Sequence, residues 1–260
     1  MTSNPPPGTL EEALAAVERD ADATLRALLV AVKEAKRLKA AAAAGQLRDV
    51  QQAVDAIDGL AGAAASTAAE VRSSWRFDVP QYLESGDYVK ELLAAAADAG
   101  VRAVESDQRI LCYPSILQVS AADATVVIDR KRERRMRPSV LVRHLADLQE
   151  RPPKFKPEAF LETLASAYAL VTARPGATVK LAGVYSVLTL LPGASRDYTR
   201  PEFARDLYLL DQSGVTVTRV GQVMTLPASA LTRGSGVLTT VTKAGQVKVY
   251  AGIAFREPAS

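Results

Sequence analysis

Histidine, cysteine and tryptophan are nearly absent from this chain of 260 residues, which has one of each. A single histidine, His144, and a single cysteine, Cys112, do not supply the ligands of a usual zinc site, and one cysteine excludes an internal disulfide. Because Cys112 stands in an apolar, strand-like run, we predict that it is a buried structural thiol. A catalytic site that uses histidine would depend on His144 alone, so we predict no catalytic residue, no metal and no cofactor.

Motifs of nucleotide-binding and membrane proteins are missing as well. No Walker A sequence occurs, and no G-x-G-x-x-G follows a predicted strand, so nucleotide hydrolysis is not expected. No apolar run reaches about 18 residues, so no membrane span or membrane partner is predicted. The first eight residues, MTSNPPPG, lack the basic and apolar regions of a signal peptide, and we predict a disordered tail over 1–8. We therefore expect a cytoplasmic protein.

An alanine-rich helical sequence occupies residues 9–77. Thr9 and Glu12 form a capping box at the start of a helix that ends at Gly45, and a second helix begins directly after this glycine. The short turn predicts an antiparallel, coiled-coil-like helical hairpin. This hairpin either projects and binds a partner or a copy of itself, or belongs to a compact bundle. In its first helix the apolar residues recur in steps of three and four, as one stripe: Leu10, Leu14, Val17, Ala21, Leu25, Leu28, Val32, Ala35 and Leu38.

Residues 78–150 are predicted to form a small α+β unit with a basic strand end. Hydrophobic periodicity favours a helix over Tyr88–Ala99, strands over Arg109–Val119 and Thr125–Lys131, and a helix over Ser139–Gln149. A cluster of cations surrounds the end of the second strand, and such a cluster could contact the phosphates of a nucleic-acid backbone. Its members are Arg130, Lys131, Arg132, Arg134, Arg135 and Arg137.

Residues 151–260 have the pattern of a winged helix-turn-helix, with two short helices followed by strands. A short strand over Thr178–Leu181 precedes the first helix, Gly183–Leu191, and the second helix, Arg200–Gln212, begins with a T-x-x-E capping box. The β segments that follow are Val215–Arg219, Gln222–Leu226, Gly236–Thr242 and Val247–Phe255. The fold is thus predicted to be α+β and predominantly helical, with a long N-terminal antiparallel helical hairpin followed by winged-helix-like α/β units.

A weak internal repeat relates residues 86–118 to residues 200–231. Each segment contains a predicted helix, a glycine (Gly100 or Gly214) and a predicted β-hairpin. A true duplication would give two winged-helix-like units. The alternative is that similar turn sequences arose independently.

The sequence Asp129-Arg130-Lys131, at the end of an apolar strand, resembles the metal-dependent nuclease pattern PD-(D/E)xK. The resemblance implies that two carboxylates hold a divalent metal while Lys131 helps to orient or activate water. Asp107 would be the second carboxylate, and Glu91 an additional acid. No proline precedes Asp107, and the alternating α/β core of that family is not predicted. The other interpretation is a solvated strand end.

The positive charge of the chain is concentrated towards its C-terminus. Residues 1–85 have 9 basic and 12 acidic side chains, whereas residues 151–260 have 13 basic and 7 acidic ones, a net charge of +6. Such a segment favours an anionic partner. Its candidate nucleic-acid-binding residues are Arg196, Arg200, Arg205, Arg219, Arg233 and Lys243.

Together these patterns predict a non-enzymatic, DNA-associated or assembly protein. The hairpin would serve oligomerisation or docking, and the winged-helix-like domain would bind double-stranded DNA or a protein. A pure protein–protein scaffold and a metal-dependent nuclease are the alternatives.

Overall fold

The computed structural model describes residues 8–227 and 237–257. It is α+β and predominantly helical, with antiparallel sheets, which confirms the predicted class. Residue packing divides the chain into two compact units: Met1–Glu91 with Arg137–Ser139, and Leu92–Met136 with Val140–Ser260. The division into four segments that was inferred from the sequence stays a prediction. The two units are defined by residue packing and do not test those boundaries. Among the described residues, no helix has both the length and the apolar character needed to cross a bilayer.

The first unit begins with the predicted helical hairpin. Helix α1 (Leu10–Ala44) and helix α2 (Leu47–Ser74) pack against each other along their lengths. The Thr9 hydroxyl caps α1 by accepting a hydrogen bond from the Glu12 amide at 3.2 Å. Gly45 ends the helix with a φ of 70°, a left-handed conformation that glycine adopts without strain. The prediction of a helical pair joined at Gly45 is confirmed.

The face through which α1 packs on α2 differs from the predicted stripe. The least exposed positions in the middle of α1 include Ala27, Ala31 and Leu38, and Ala41 is buried. Opposite them, Ala53 and Ala64 of α2 are also buried. Small side chains at this seam let the two helices approach closely. Three large side chains of the predicted stripe, Leu25, Leu28 and Val32, therefore remain on the outside. Together with the neighbouring Leu29 they have exposed fractions between 48% and 59%.

The open end of the hairpin is fixed by polar contacts within the first unit. Helices α3 (Val79–Glu84) and α4 (Asp87–Asp98) follow the hairpin. The Glu91 carboxylate accepts hydrogen bonds from the first amides of α1, at 3.0 and 2.9 Å, and from the Tyr82 hydroxyl at 2.6 Å. Arg137 donates to Glu11 and Glu18, at 2.6 Å each. Glu91 is thus a helix cap.

A five-stranded antiparallel meander begins the second unit, in the order β1-β2-β3-β4-β5. Its strands are β1 (Val104–Ser106), β2 (Arg109–Cys112), β3 (Ser115–Ser120), β4 (Thr125–Ile128) and β5 (Lys131–Glu133).

The predictions of single strands over Arg109–Val119 and Thr125–Lys131 were wrong. The first is divided by a turn at Tyr113-Pro114, where proline removes the amide that a continuous strand would need. The second ends before a two-residue turn, Asp129-Arg130. Helix α5 (Pro138–Glu150) follows the sheet.

In the C-terminal part of the second unit, the described residues form four helices and two small sheets. The helices are α6 (Pro157–Val171), α7 (Leu181–Leu188), α8 (Ala194–Asp197) and α9 (Arg200–Ser213). The strands are β6 (Val179–Lys180), β7 (Val223–Thr225), β8 (Leu238–Val241), β9 (Val247–Tyr250) and β10 (Gly252–Arg256). β6, β10 and β7 form one antiparallel sheet in that order, and β8 pairs with β9.

These strands differ from the predicted β segments in two places. Val215–Arg219 is not a strand and contributes one isolated bridge, between Val217 and Val223. Val247–Phe255 is divided at Ala251 into β9 and β10, which belong to different sheets.

Large apolar side chains from the helices α6, α7 and α9 and from strands of both small sheets form what we call the C-terminal core. Its fully buried members, at 0 or 1% exposure, are Leu161, Leu164, Leu181, Val184, Phe203, Ala204, Leu207, Leu210, Ile253 and Phe255.

The two halves of the predicted repeat share local structure only. Gly100 and Gly214 both follow a helix with positive φ values, 71° and 73°. After Gly100 the chain enters a five-stranded meander, whereas after Gly214 it makes one bridge before β7. Residues 86–118 and the described part of the second half, residues 200–227, therefore do not form two units of the same type.

Candidate functional site

Helix α9, which occupies the place of a recognition helix in the predicted winged helix, is enclosed by other elements. Seven of its 14 residues are buried. On one side Phe203 packs against the rings of Tyr185 and Tyr198, with centroid distances of 5.6 and 6.0 Å. On another side Tyr208 meets Tyr113 edge to face at 5.5 Å. Neither of these faces is free to enter a DNA groove.

An arginine-lined cleft of about 130 Å³ opens between the meander and the start of α9. Three guanidinium-bearing residues contribute to it, Arg109, Arg130 and Arg196, together with two acids, Asp129 and Glu202. Its remaining lining residues are Ile116, Gln118, Val127 and Thr199. We call this feature the arginine cleft.

The turn between β4 and β5 places Asp129 and Arg130 at the cleft. Both residues have positive φ, 45° and 69°, as the two central positions of a type I′ hairpin turn require. The Asp129 amide donates to the carbonyl of Ile116, and the Asp129 carboxylate accepts from the Ile116 amide, each at 3.1 Å. This double contact holds the turn against β3 and directs the Arg130 side chain to Glu202, whose Oε1 accepts from Nε at 2.8 Å.

Glu202 connects the helix cap to the cleft. Its Oε2 accepts hydrogen bonds from the amide and hydroxyl of Thr199, at 2.7 and 2.8 Å. Burial raises the pKa of Glu202, but the hydrogen bonds from Arg130 and Thr199 outweigh burial, so the pKa lies below its ordinary value. Glu202, the acid of the predicted capping box, is therefore also the acidic partner of Arg130 in an ion pair.

Arg205 bridges two carboxylates beside the cleft. It lies 3.2 Å from Asp129 and 3.0 Å from Asp206. Burial raises the pKa of Asp206 above its ordinary value, although Arg205 and a hydrogen bond from Tyr198 act in the opposite direction. Because Arg205 already has two acidic partners, its charge is largely neutralised in place.

Arg109 and Arg196 are the two cations of the cleft that have no carboxylate partner among the described residues. Arg196 was predicted from the sequence, but Arg109 was not, because it was assigned to the start of a single long strand. The turn residues Asp107 and Gln108, both with positive φ, mark a hairpin before β2. Recognising that hairpin would have placed Arg109 directly after a turn.

The basic run Arg130–Arg137 is mostly paired with acids. Arg130 pairs with Glu202, Arg132 with Asp123, Arg135 with Glu133, and Arg137 with Glu11 and Glu18. Lys131 and Arg134 have exposed side chains and no carboxylate partner in the described part of the chain. This run is therefore less positive than its sequence indicates.

The remaining candidate cations do not converge on one surface feature. The Arg200 guanidinium lies 5.8 Å from the centroid of the Tyr185 ring. The Arg219 amide donates to Glu162 at 2.7 Å. Lys243 occupies the β8–β9 turn, where its amide donates to the Tyr208 hydroxyl at 3.1 Å. Arg233 lies outside the described residues.

The residues of the nuclease resemblance are not brought together. Successive turns of a meander alternate between the two ends of its sheet. Asp107 is in the first turn and Asp129 in the fourth, so they lie at opposite ends. Glu91 caps α1, and the described residues contain no cluster of three or more acids, histidines or cysteines suited to a metal. The resemblance is confined to the local sequence.

Cys112 is buried, as predicted, with 1% of its surface exposed. Burial raises the pKa of its thiol to about 12, while a hydrogen bond with Gln149 has a smaller effect in the opposite direction. A thiol of this kind is not a nucleophile near neutral pH.

The chain matches no known family model, no curated protein and no solved structure.

Proposed function

We propose that this protein is a non-enzymatic assembly protein in which the helical hairpin is a docking arm. The observation that supports this function is the row of half-exposed apolar side chains on α1, where Leu25, Leu28 and Val32 have exposed fractions of 54%, 48% and 48%. Contiguous apolar surface of this kind marks protein interaction sites. The seam with α2 leaves the row uncovered.

A winged-helix-like C-terminal unit fits the same function. With the short helix α8 and the β8–β9 pair set aside, the order of elements is α6, β6, α7, α9, β7 and β10, and the sheet order β6-β10-β7 places the last strand between the other two. This arrangement supports the winged-helix interpretation of residues 151–260. The enclosure of α9 favours a unit that binds proteins over one that reads bases, because base readout needs a free helix in the major groove.

Site-specific photocross-linking in living cells tests the docking arm. A photoreactive amino acid at Leu28 should give adducts with a second polypeptide chain. Val30 is the matched control, since it is also an exposed apolar residue of α1, at 51%, but lies on another face. Adducts at neither position, or equally at both, would contradict a docking function for this row.

DNA association is the second candidate function. It is favoured by the net charge of +6 over residues 151–260 and by the unpaired cations Arg109 and Arg196 in the arginine cleft. A cleft of this kind suits a phosphate group of the backbone and carries no sequence information. The expected binding is weak, independent of sequence and sensitive to salt.

A further inference from the structure

The apolar row on α1 lies on one face of the helix, away from the α2 seam. At about 100° per residue, Leu25, Leu28, Leu29 and Val32 fall within an arc of roughly 100°. The centre of the seam that includes Ala27, Ala31 and Ala41 lies about 150° from the centre of this arc. Closer packing of α1 on α2 would therefore not cover the row. A third helix is needed to bury it.

The charges on the two halves of α1 are opposite. Residues 10–22 contain five acidic side chains and one basic side chain, a net charge of −4. Residues 26–39 contain five basic side chains and one acidic side chain, a net charge of +4. The apolar row lies between these halves. Any helix that covers the whole row must therefore be basic at one end and acidic at the other, in the opposite direction to α1.

Helix α1 itself meets this requirement when it runs antiparallel to a second copy. We propose that two copies of the chain associate through their α1 helices, antiparallel, about a two-fold axis between Leu28 and Leu29. This inference rests on the proposed docking function of the hairpin and specifies its partner. In this register Leu25 faces Val32 of the second copy, and Leu28 faces Leu29, so each apolar residue of the row meets another.

The charged residues that flank the row fit the same register. Glu18, Lys36 and Lys39 project from the same side of α1 as the row. Glu18 falls opposite Lys39 of the second copy, and the two-fold axis repeats this pair at the other end. Glu18 also pairs with Arg137, but its side chain remains 68% exposed. A parallel arrangement would instead place acid against acid and base against base, which is destabilising.

Disulfide trapping distinguishes the two orientations. A chain carrying Leu25→Cys and a chain of different length carrying Val32→Cys are purified and mixed under oxidation. An antiparallel pair should give the mixed disulfide and little of either symmetric one, because equal positions are offset by seven residues, about 10 Å along the axis. Disulfides form when Cα atoms are within about 7 Å. The unaltered protein is the background control, since its Cys112 is buried.

Molecular mass in solution tests the association itself. Light scattering on the full chain at about 1 to 100 µM should show a monomer–dimer equilibrium. Leu28→Glu should weaken it by more than about 100-fold, because each dimer loses two buried leucines and gains two buried charges. Val30→Glu introduces the same charge on another face and should leave the equilibrium within about 3-fold of the unaltered protein.

The outcomes separate this inference from the proposed function. Symmetric disulfides between two Leu25→Cys chains, or a dimer that Leu28→Glu leaves intact, would overturn the antiparallel pairing. A monomer throughout the concentration range, with photocross-links from Leu28 only to a different protein, would overturn self-association and leave the docking arm in place. A monomer without specific cross-links would overturn both.

Discussion

The hairpin and the C-terminal core bury apolar surface with very different side chains. Along the hairpin seam the buried residues are alanines, such as Ala41, Ala53 and Ala64. In the C-terminal core they include Phe203 and Phe255 among leucines and tyrosines. Because burial stabilises in proportion to apolar area, each seam position contributes much less than a core position. The middle of α1 keeps Leu25, Leu28, Leu29 and Val32 outside, where a second chain can cover them.

The first prediction concerns the residue whose loss should destabilise the chain most. Phe203 has no exposed surface and lies within 6.3 Å, ring to ring, of three aromatic neighbours. Phe203→Ala should lower the free energy of unfolding by about 3–5 kcal/mol, since it removes buried area and leaves a cavity. Urea unfolding followed by tyrosine signals in the near-ultraviolet measures the loss. A loss below about 1 kcal/mol would contradict the importance given to this core.

The second prediction concerns the seam. Ala53 has no exposed surface at the α1–α2 contact, so Ala53→Leu should force the helices apart and cost about 1–3 kcal/mol. The fluorescence of the sole tryptophan, Trp75, follows unfolding at the end of α2. Ala56→Leu, at an exposed position of the same helix, is the matched control and should be close to neutral. Stabilisation by Ala53→Leu would show that the seam is under-packed.

The same comparison explains how much could be predicted from sequence. The hairpin, its Thr9 cap and its Gly45 turn were predictable because caps and glycine stops are local signals. The face used for packing was not, since hydrophobic periodicity follows the large apolar residues and gives little weight to the alanines that form the seam. The arginine cleft was not predictable either. Arg109 and Arg130 reach it through two turns and a strand register that depend on the whole meander.

The ion pairs could likewise not be predicted from the sequence. The run Arg130–Arg137 indicates a positive surface, yet its acidic partners include Glu202 and Glu18, which are 72 and 119 residues away from the cations they contact. Only the fold brings these groups together. For this reason, a count of the charges in one segment overstates the positive electrostatic potential that DNA would meet at the surface.

The third prediction tests the charge pair of Arg130 and Glu202. The folded pKa of Glu202 is lowered. Its contribution to stability is therefore complete above the ordinary carboxyl pKa, about 4.3, and is lost as pH falls through the folded value. Glu202→Gln should cost about 1–2 kcal/mol at pH 7, through the lost hydrogen bonds.

The pH dependence of that cost is the decisive measurement. Urea unfolding of Glu202→Gln and of the unaltered protein should differ most near pH 7 and progressively less below about pH 4. Burial is the largest cause of the raised pKa of Asp206, and Glu202 adds to it. Asp206 therefore acts in the opposite direction in both proteins, and only the smaller part due to Glu202 remains in the difference. A difference that does not change with pH would mean that the ionised form of Glu202 makes no special contribution.

The last prediction contrasts the two regions as binding surfaces and has the smallest expected effect. If the arginine cleft holds a phosphate of duplex DNA, Arg109→Ala with Arg196→Ala should weaken binding a few-fold at low salt. It should also reduce the slope of log K against log salt by about 1, because the two arginines together neutralise one phosphate. Lys33→Ala with Arg48→Ala removes the same charge from the exposed hairpin and should leave that slope unchanged. Fluorescence anisotropy of a labelled duplex, titrated at several salt concentrations, measures both the affinity and the slope.

Equal losses from the two double variants would assign DNA affinity to net charge alone. No binding even at low salt would leave protein assembly as the function that the geometry supports.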